Sequence, residues 1–344
     1  MSYKIVRIGL IGCGFMAGEH LRHLQLLDDC KLVSVSDVDP SAIERLKKIA
    51  PWIDGVDEFK DYRDMIAAGG LDAVIVATPH SLHHEQALFA LHNNLDALIE
   101  KPMVSRAAEA REIAHLAKEK KKLVMVGYQR HTEPPYAHAR QIIASGELGK
   151  LHYVNAIQTQ GWFRDKLGTW RTDPRFNELG YIADSGSHLI DAIQWISGSE
   201  VEEVIARTDN LSSEVPVNAA IFLRYSSGAL ASISMVGSAP EWHEQVRFYG
   251  ELGEIICRFN YDEHYQAANS SVEIIDQNNY SIQRPLRMLP PRSNPTRNFI
   301  NSLLGTEEPL CTVEDGMMTA VILEAIQASA KDGGKPVMMS MKKS

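Results

Sequence analysis

The tripeptide Glu100-Lys101-Pro102 places a lysine at the end of the apolar segment 95–99, Leu-Asp-Ala-Leu-Ile. This segment has the length and composition of a buried parallel strand, and the proline favours a strand end because it cannot donate a ladder hydrogen bond. In open α/β sheets, ligands bind outside the carboxyl ends of the strands. Lys101 is therefore predicted to direct its ammonium group at a bound ligand. A solvated lysine is the alternative interpretation, which the remaining motifs disfavour.

Asp184 and His188 form a second pair that could do chemistry, because residues four apart share one face of a helix. Oxidation of an alcohol by hydride transfer needs a group that takes the hydroxyl proton, and histidine titrates in a suitable range. A neighbouring carboxylate can orient the imidazole or hold a second hydroxyl, and a lysine can stabilise developing alkoxide charge. A core or capping histidine is the alternative. With Asp184 beside His188 and Lys101 available, the catalytic interpretation is favoured.

The segment Gly12-Cys13-Gly14-Phe15-Met16-Ala17 matches the G-x-G-x-x-G/A pattern between a strand and a helix. The first glycine permits a tight turn, Gly14 lets a pyrophosphate approach the backbone, and the small Ala17 lets the helix pack on the strand. The N–H groups and the dipole at the helix start then bind phosphates. A plain tight turn is the alternative, but the surrounding alternation of strands and helices favours a dinucleotide site.

Asp37 ends a second apolar strand, at residues 32–36. A carboxylate at this position of a dinucleotide fold accepts hydrogen bonds from the adenosine ribose and repels a 2′-phosphate. The next residue is Val38, where an NADP site would more usually offer arginine, so NAD is predicted over NADP. Asp37 could instead cap the next helix, but Asp39 before Pro40 fits that role better and is expected to leave Asp37 free.

Thr78-Pro79-His80 follows the predicted strand at 73–77 and should flank the nicotinamide half of the cofactor. His80, His83 and His84 have a spacing that could suggest a metal site. Zinc needs a third or fourth ligand in a closed geometry, and no carboxylate or cysteine pairing in the sequence supports one. We therefore expect no metal. The histidines are interpreted as solvated helix residues, or as one residue lining the cofactor cleft.

The elements that position these residues alternate between strand and helix up to residue 126, with near-continuous apolar strands typical of a parallel sheet covered on both faces. The predicted strands lie at 5–11, 32–36, 73–77, 95–100 and 123–126. Longer β-rich segments follow at 151–159, 217–225, 229–236, 245–249 and 254–259, with helices at 134–145, 187–196, 295–304 and 313–330. Residues 261–295 are polar and contain prolines, which favours loops and a sheet edge.

The predicted fold class is α/β with two domains. Residues 1–127 form a Rossmann domain, a doubly wound parallel sheet that binds NAD(P). Residues 128–344 form an α+β domain for substrate binding and oligomerisation, with a large, mostly antiparallel open sheet. The C-terminal helices could pack back on the first domain.

In this order the motifs resemble those of the Gfo/Idh/MocA oxidoreductase family, which includes inositol dehydrogenases and glucose-fructose oxidoreductase. The resemblance covers nearly the whole chain. It rests on the first-strand loop, Thr78-Pro79, Glu100-Lys101-Pro102, Gly127-Tyr128-Gln129-Arg130, Trp170-Arg171, the block containing Asp184 and His188, and Glu314-Asp315-Gly316. Glycine loops are common, but a Glu-Lys-Pro element followed by Asp-x-x-x-His is specific.

The resemblance implies that His188 is the general base, Lys101 the polarising or proton-relaying cation, and Asp184 a contact to a substrate hydroxyl. The motifs and the resemblance together predict cofactor contacts from Gly12, Gly14, Phe15, Met16, Asp37, Thr78, Pro79, His80, His83, Glu100, Lys101 and Gln129. Substrate contacts are expected from Lys101, Arg130, Trp162, Arg171, Asp184 and His188. For Arg171, a surface arginine beside an anchoring tryptophan is the alternative.

The composition of the chain limits the classes of partner that it could bind. The formal net charge of -9 disfavours nucleic acid as a partner, and the small basic patch at 118–122 is interpreted as the exposed end of a helix. No apolar segment approaches the length of a membrane span, and the N-terminal segment lacks the shape of a signal peptide, so we expect no membrane partner. The four cysteines lie far apart and form no CxxC pair, which suits a reducing compartment. These features predict a cytoplasmic protein.

The predicted function is hydride transfer between a nicotinamide cofactor and a secondary hydroxyl of a sugar, a sugar derivative or a cyclitol. Three alternatives stay open: an enzyme of the family that uses NAD for redox-assisted elimination, as some glycosidases do, a reductase of a non-sugar substrate, and a non-catalytic NAD-binding regulator. The resemblance implies a homodimer or homotetramer that associates through the open face of the second-domain sheet.

Overall fold

The computed structural model of the protein describes residues 5–259, 270–278, 280–284, 289 and 293–339. The chain divides into two compact units. Unit 1 comprises Met1–Gln129 and Ser293–Ala320, and unit 2 comprises Arg130–Arg292 and Val321–Ser344.

The first part of the chain alternates strands and helices in the order β1 (Val6–Ile11), α1 (Phe15–Leu24), β2 (Cys30–Ser36), α2 (Pro40–Ile49), β3 (Asp57–Phe59), α3 (Tyr62–Ala68), β4 (Ala73–Val76), α4 (His83–His92), β5 (Asp96–Ile99), α5 (Ala107–Lys120) and β6 (Val124–Val126). The remainder, in the described residues, contains α6 (Pro134–Ser145), β7 (Leu151–Thr159), α7 (Trp162–Lys166), α8 (Gly180–Asp184), α9 (Gly186–Ser197), β8 (Val201–Asp209), β9 (Asn218–Tyr225), β10 (Leu230–Val236), β11 (His243–Gly250), β12 (Gly253–Phe259), β13 (Ser271–Asp276), β14 (Ser281–Arg284), α10 (Pro295–Leu303), α11 (Val313–Lys331) and β15 (Val337–Met338).

Unit 1 is built on a parallel sheet with the strand order β3-β2-β1-β4-β5-β6. This is the doubly wound order of dinucleotide-binding folds, so the predicted Rossmann architecture is confirmed. The sheet separates two apolar cores. Ile8 and Leu10 of β1 pack in the core that contains α1 and α2, whereas Val74 and Val76 of β4 pack in the core that contains α4 and α5. Burial on both faces explains why these strands are almost continuously apolar.

Unit 2 is built on a larger sheet, whose described strands have the order β14-β13-β12-β11-β7-β10-β9-β8-β15. Every neighbouring pair is antiparallel except β10 and β7, so the prediction of a large, mostly antiparallel sheet is confirmed. Side chains alternate between a buried and a more exposed face along β7, β9 and β10. The buried face packs on α6, α8 and α9 in one apolar core.

Two strands of the structure that were absent from the predicted elements each have a local cause. The strand β3 is only three residues long and polar, so it carries no apolar signal. The strand β8 contains two adjacent glutamates in a mixed pattern and was not expected as a strand. Within 261–295, β13 and β14 form one edge of the larger sheet, as the prediction of an edge requires, whereas much of the predicted loop lies outside the described residues.

Among the described helices, none combines the length and the apolar character needed to cross a lipid bilayer. The helix α11 is the longest of them, at 19 residues. Its first turns carry Glu314 and Asp315, where acidic side chains stabilise the positive end of the helix dipole.

Candidate active site

The carboxyl ends of five strands in unit 1 lie in register at one edge of the sheet. Ile11 is paired with Ser36 on one side and with Val76 on the other, and the same row continues to Ile99 and Val126. The residue after each strand therefore emerges at the same edge. These residues are Gly12, Asp37, Ala77, Glu100 and Gly127. Sequence segments that are far apart are brought together here because all the strands run parallel.

The two positions in the loop after β1 are occupied by glycine for different structural reasons. Gly12 has φ +90, and a Cβ built on it would lie 2.7 Å from the carbonyl oxygen of Ala77, so another residue would strain the backbone and collide with it. A Cβ built on Gly14 meets no atom within 4 Å. Gly14 is exposed and is the N-cap of α1. Open backbone at a helix start is the cradle that a dinucleotide pyrophosphate requires, so the loop fits this group.

Phe15 and Met16 begin α1 beside this cradle. Phe15 is 64% exposed, and Met16 is half-buried. Cys13 lies between the two glycines with its side chain buried. Burial, together with the charge of Asp37, raises the pKa of the Cys13 thiol to about 12, so this thiol stays protonated at neutral pH.

The side chain of Asp37 accepts more hydrogen bonds from the backbone than the sequence suggested. Its Oδ2 accepts a hydrogen bond from the N–H of Cys13 at 2.8 Å, and its Oδ1 accepts one from the N–H of Asp39 at 2.9 Å. Asp39 caps α2 by accepting from the N–H of Ser41, which confirms its predicted capping role. Asp37 is thereby free of the capping role, as predicted, but its carboxylate also holds the glycine loop. Each carboxylate oxygen can still accept a further hydrogen bond.

The loop after β4 contains the predicted nicotinamide-flanking residues. Thr78 donates a hydrogen bond from Oγ1 to Gln86 at 2.6 Å, and Pro79 precedes a short 3-10 helix, His80–Leu82. His80 is 3% exposed and His83 is fully buried. The interpretation of these two histidines as solvated is therefore wrong, because both are part of the packed interior.

The imidazole of His83 bridges two strand-end loops. Its Nδ1 lies 2.9 Å from the carbonyl oxygen of Pro102, and its Nε2 lies 2.9 Å from that of Thr78. Burial lowers the pKa of His83, although both carbonyls and the charge of Glu100 act against the shift. His84, in contrast, pairs with Glu112 at 2.9 Å at the surface.

Glu100 and Lys101 occupy the loop after β5. Glu100 is 5% exposed, and its Oε1 lies 3.0 Å from Nε2 of His20 on α1. Burial disfavours the charged carboxylate, but the hydrogen bond and charge of His20, together with Lys101, hold the pKa of Glu100 below its usual range. Lys101 is half-buried, and the Lys101–Pro102 peptide bond is cis. Gln129, the last residue of this part of unit 1, is half-buried.

In unit 2, Asp184 is the last residue of α8, and His188 lies in the first turn of α9. A one-residue turn at Ser185, which keeps right-handed helical dihedrals, separates the two helices, so Asp184 and His188 lie four residues apart across this turn. Both are buried, with 4% of Asp184 and 8% of His188 exposed. The Oγ of Ser185 donates to Gln160 at 2.7 Å, which joins the break between the helices to the end of β7.

Asp184 is held by two of the predicted substrate residues. Its Oδ2 accepts a hydrogen bond from Nε1 of Trp162 at 2.8 Å and pairs with Nε of Arg171 at 3.0 Å. Trp162 is completely buried, and the guanidinium of Arg171 also stacks on Trp170, 4.4 Å from the ring centroid. The interpretation of Arg171 as a plain surface arginine is wrong, since its charge compensates a buried carboxylate.

Arg130 lies in a buried ionic cluster of unit 2. Its Nε and Nη2 donate to the two carboxylate oxygens of Glu244 at 2.8 and 3.0 Å, and only 2% of Arg130 is exposed. Tyr136 and Gln158 also donate to Glu244. The guanidinium lies 4.0 Å from the ring centroid of Phe259. These contacts commit the charge of Arg130 to Glu244, and its contact to substrate stays a prediction.

Sequence reasoning missed three buried polar residues, and each had a recognisable signal. Glu244 shares the buried phase of β11 with Val246 and Phe248, and Asp191 lies among the apolar residues of α9, where its Oδ2 meets Nε2 of His131 at 2.9 Å. His20 likewise interrupts the apolar face of α1. A titratable residue on a buried face requires a partner.

Comparisons with known proteins agree with this geometry. The profile of an oxidoreductase family with an NAD-binding Rossmann fold matches residues 6–128, and that of the GFO/IDH/MocA C-terminal domain matches residues 136–256. Inositol 2-dehydrogenase 4 of Saccharopolyspora erythraea is 28% identical over 246 residues, which cover 68% of either chain. Myo-inositol 2-dehydrogenase of Thermotoga maritima is 24% identical over 347 residues, covering 95% of this chain and 97% of the relative.

Among solved structures, the WlbA dehydrogenase from Bordetella pertussis, in complex with NADH and UDP-GlcNAcA, superposes with a TM-score of 0.83. It is 23% identical, and the match covers 99% of this chain and 100% of that one. A levoglucosan dehydrogenase in complex with NADH and levoglucosan also has a TM-score of 0.83, at 20% identity, with 97% of this chain and 99% of that one covered. At these identities the two superpositions establish the shared fold.

Proposed function

The chain belongs to the GFO/IDH/MocA oxidoreductase family, and we propose that it is an NAD-dependent dehydrogenase acting on a secondary hydroxyl of a sugar, a sugar derivative or a cyclitol. The observation that carries the proposal is the aligned row of strand ends in unit 1. It sets an open helix start at Gly14, an acidic residue at Asp37 and a cation at Lys101 on one sheet edge. The names of the relatives, which act on inositol, support a polyol substrate.

For the cofactor, we propose NAD in preference to NADP. The backbone at Gly14 would hold the pyrophosphate, and Asp37 would accept from the ribose hydroxyls. A 2′-phosphate would meet the carboxylates of Asp37 and Asp39, while Arg45 is engaged by Asp39 and Ser41. Thr78, Pro79 and Glu100 are the proposed residues around the nicotinamide half. When bound, the nicotinamide supplies a two-electron hydride acceptor.

For the chemistry, we assign roles to three residues. His188 takes the hydroxyl proton as general base, and the ammonium of Lys101 stabilises the negative charge that develops during hydride transfer. Asp184 accepts from a further substrate hydroxyl, in an orientation that Trp162 and Arg171 fix. Rigid support of a polar contact improves alignment of the reacting C–H bond, which is the main benefit of an ordered site.

We also propose a homodimer or a homotetramer formed through the exposed face of the larger sheet. Phe222 and Leu230 are 53% and 47% exposed, and they lie on adjacent strands on the face opposite the apolar core. Half-buried Ile157 belongs to the same face of β7. Apolar side chains on an open sheet face favour association. All four cysteines are free thiols, which supports the proposed cytoplasmic location.

The proposal is tested by incubating the protein with NAD or NADP and a panel of inositols, aldoses, sugar acids and other polyols, while the absorbance of reduced nicotinamide is followed. We expect turnover with at least one member of the panel. The variants Lys101→Met and His188→Asn should abolish turnover and retain NAD binding, whereas Lys118→Met, at an exposed position of α5, should behave as wild type. Retention of full activity by either active-site variant would remove that residue from the mechanism.

A further inference from the structure

On either side of Lys101, the neighbouring residue in the chain lies within hydrogen-bond distance of a buried histidine. Glu100, before it, contacts His20, and Pro102, after it, contacts His83. We propose that His20 and His83 are positioning residues that fix the loop of Lys101 without touching substrate. The inference rests on the proposed function of Lys101 and assigns a role to two side chains that the reaction itself does not use.

The partners of His20 determine which of its ring nitrogens must carry a proton. The imidazole is 4% exposed, with Nε2 3.0 Å from Oε1 of Glu100 and Nδ1 2.8 Å from Oγ1 of Thr296. An ionised carboxylate only accepts hydrogen bonds, so Nε2 must carry a proton. Nδ1 shares the second hydrogen bond with the hydroxyl of Thr296. All hydrogen-bonding positions of the imidazole are satisfied by this arrangement.

Glu100 transmits this constraint to the loop. Its second carboxylate oxygen, Oε2, accepts from the backbone N–H of Lys101 at 3.2 Å. Gly127 makes room for the carboxylate, because a Cβ at that position would lie 2.9 Å from Oε1. The hydrogen-bond chain thus runs from Thr296 through His20 and Glu100 to the backbone of Lys101. It connects the phosphate-binding helix α1 with the end of β5.

His83 holds the other side of the lysine. It is fully buried, and its two ring nitrogens lie within hydrogen-bond distance of the carbonyl oxygens of Pro102 and Thr78. With the proton on Nδ1, the neutral imidazole donates to the carbonyl oxygen of Pro102, while Nε2 lies against that of Thr78, so the ring holds the loop after β5 beside the loop after β4. Since both nitrogens face protein carbonyls, a positioning role replaces the direct cofactor contact that the sequence predicted for His83.

The two histidines use different nitrogens toward the lysine loop, and this asymmetry provides the test. The amide nitrogen of glutamine can stand in for Nε2 of histidine, and that of asparagine for Nδ1. His20→Gln should keep the donor to Glu100, and His20→Asn should lose it. At position 83 the order reverses, since asparagine can keep the donor to Pro102 and glutamine cannot. We expect kcat to fall about 10- to 100-fold in His20→Asn and His83→Gln, with a much smaller loss in His20→Gln and His83→Asn.

Hydrogen exchange at the backbone N–H of Lys101 supplies a readout that does not need turnover. The exchange rate of this N–H should rise in His20→Asn and remain near that of wild type in His20→Gln. Thr296→Val, which keeps the shape of the side chain and removes its hydroxyl, should raise the rate, and Thr296→Ser should not. His92→Gln, at an exposed position of α4, is the control.

The outcomes distinguish the two proposals. If wild type turns over no substrate, the proposed function fails, while the exchange rates still test the positioning role. The positioning role is overturned if wild type is active but the asparagine and glutamine variants do not differ. At each histidine position, the two variants would then have equal effects on kcat and on exchange at the N–H of Lys101. Thermal unfolding of each variant separates these effects from a general loss of stability, which would affect exchange throughout unit 1.

Discussion

Oδ2 of Asp37 accepts a hydrogen bond from the backbone N–H of Cys13 at 2.8 Å, so the acidic residue after β2 helps to hold the glycine loop after β1. In the proposed cofactor site, the same carboxylate accepts from a ribose hydroxyl. We therefore expect a substitution at this position to have two separable effects. One is loss of the negative charge that we propose discriminates against a 2′-phosphate, and the other is loss of support for the proposed pyrophosphate loop.

We expect Asp37→Asn and Asp37→Ala both to raise the ratio of kcat/KM with NADP to that with NAD, by about tenfold or more, because the repulsive charge is gone. NAD affinity should fall further in Asp37→Ala, which cannot accept from Cys13. Cofactor dependence measured at saturating substrate checks the first effect, and calorimetric titration the second. Asp61→Asn is the matched control, since an asparagine can still cap α3. An unchanged cofactor ratio in both Asp37 variants would refute the ribose assignment.

The two loop glycines should respond differently to alanine. Gly12→Ala should lower the free energy of unfolding by about 1–3 kcal/mol, because φ is positive and a backbone oxygen lies 2.7 Å from the new Cβ. Gly14→Ala should leave stability unchanged, since its Cβ meets no protein atom, and should weaken NAD binding about tenfold or more. Chemical denaturation and NAD titration of both variants provide the check. Wild-type NAD affinity in Gly14→Ala would show that the pyrophosphate does not approach this residue.

The buried pair of Arg130 and Glu244 should dominate the electrostatic stability of unit 2. Glu244→Gln leaves a buried guanidinium without its counter-charge, and the free energy of unfolding should fall by about 3–5 kcal/mol. Asp173→Asn, which breaks the exposed pair with Arg175, should have almost no effect. Denaturant unfolding measures both variants. A small loss in Glu244→Gln would show that the pair contributes little to the stability of unit 2.

How much of the structure can be predicted from the sequence depends on how far apart in the chain the interacting residues lie. The loop after β1 is a local pattern, and the strands of unit 1 are apolar along their length because both faces are covered, so both could be predicted. The pairing of His20 with Glu100 or of Arg130 with Glu244 joins residues 80 and 114 positions apart. Such pairs depend on how elements pack, which one sequence does not encode in any short pattern. The sequence therefore indicated charged residues at the site and missed their partners.

The hydrogen bond from Trp162 to Asp184 should matter more for catalysis than for folding. Trp162→Phe removes the indole N–H and keeps an aromatic side chain in the buried position, so kcat/KM should fall about tenfold while the fold is retained. Arg164→Gln is the control on the same helix, because this side chain is 71% exposed. Steady-state kinetics with the best substrate of the panel tests the difference. Equal activity of the two variants would mean that Asp184 does not need this donor.

The buried charge of Glu100 should make part of the stability depend on pH. Its pKa is lower in the folded protein than the value of about 4.3 in an unfolded chain. Its stabilising contribution is therefore fully present above the unfolded value and is lost as the pH falls through the folded value. In Glu100→Gln this contribution is absent, so the variant should unfold at a lower Tm than wild type at neutral pH. The difference should shrink as the pH falls below about 4.3. Circular dichroism melting curves across this range measure it. Parallel curves of Tm against pH for the two proteins would show that the pKa of Glu100 does not change on folding.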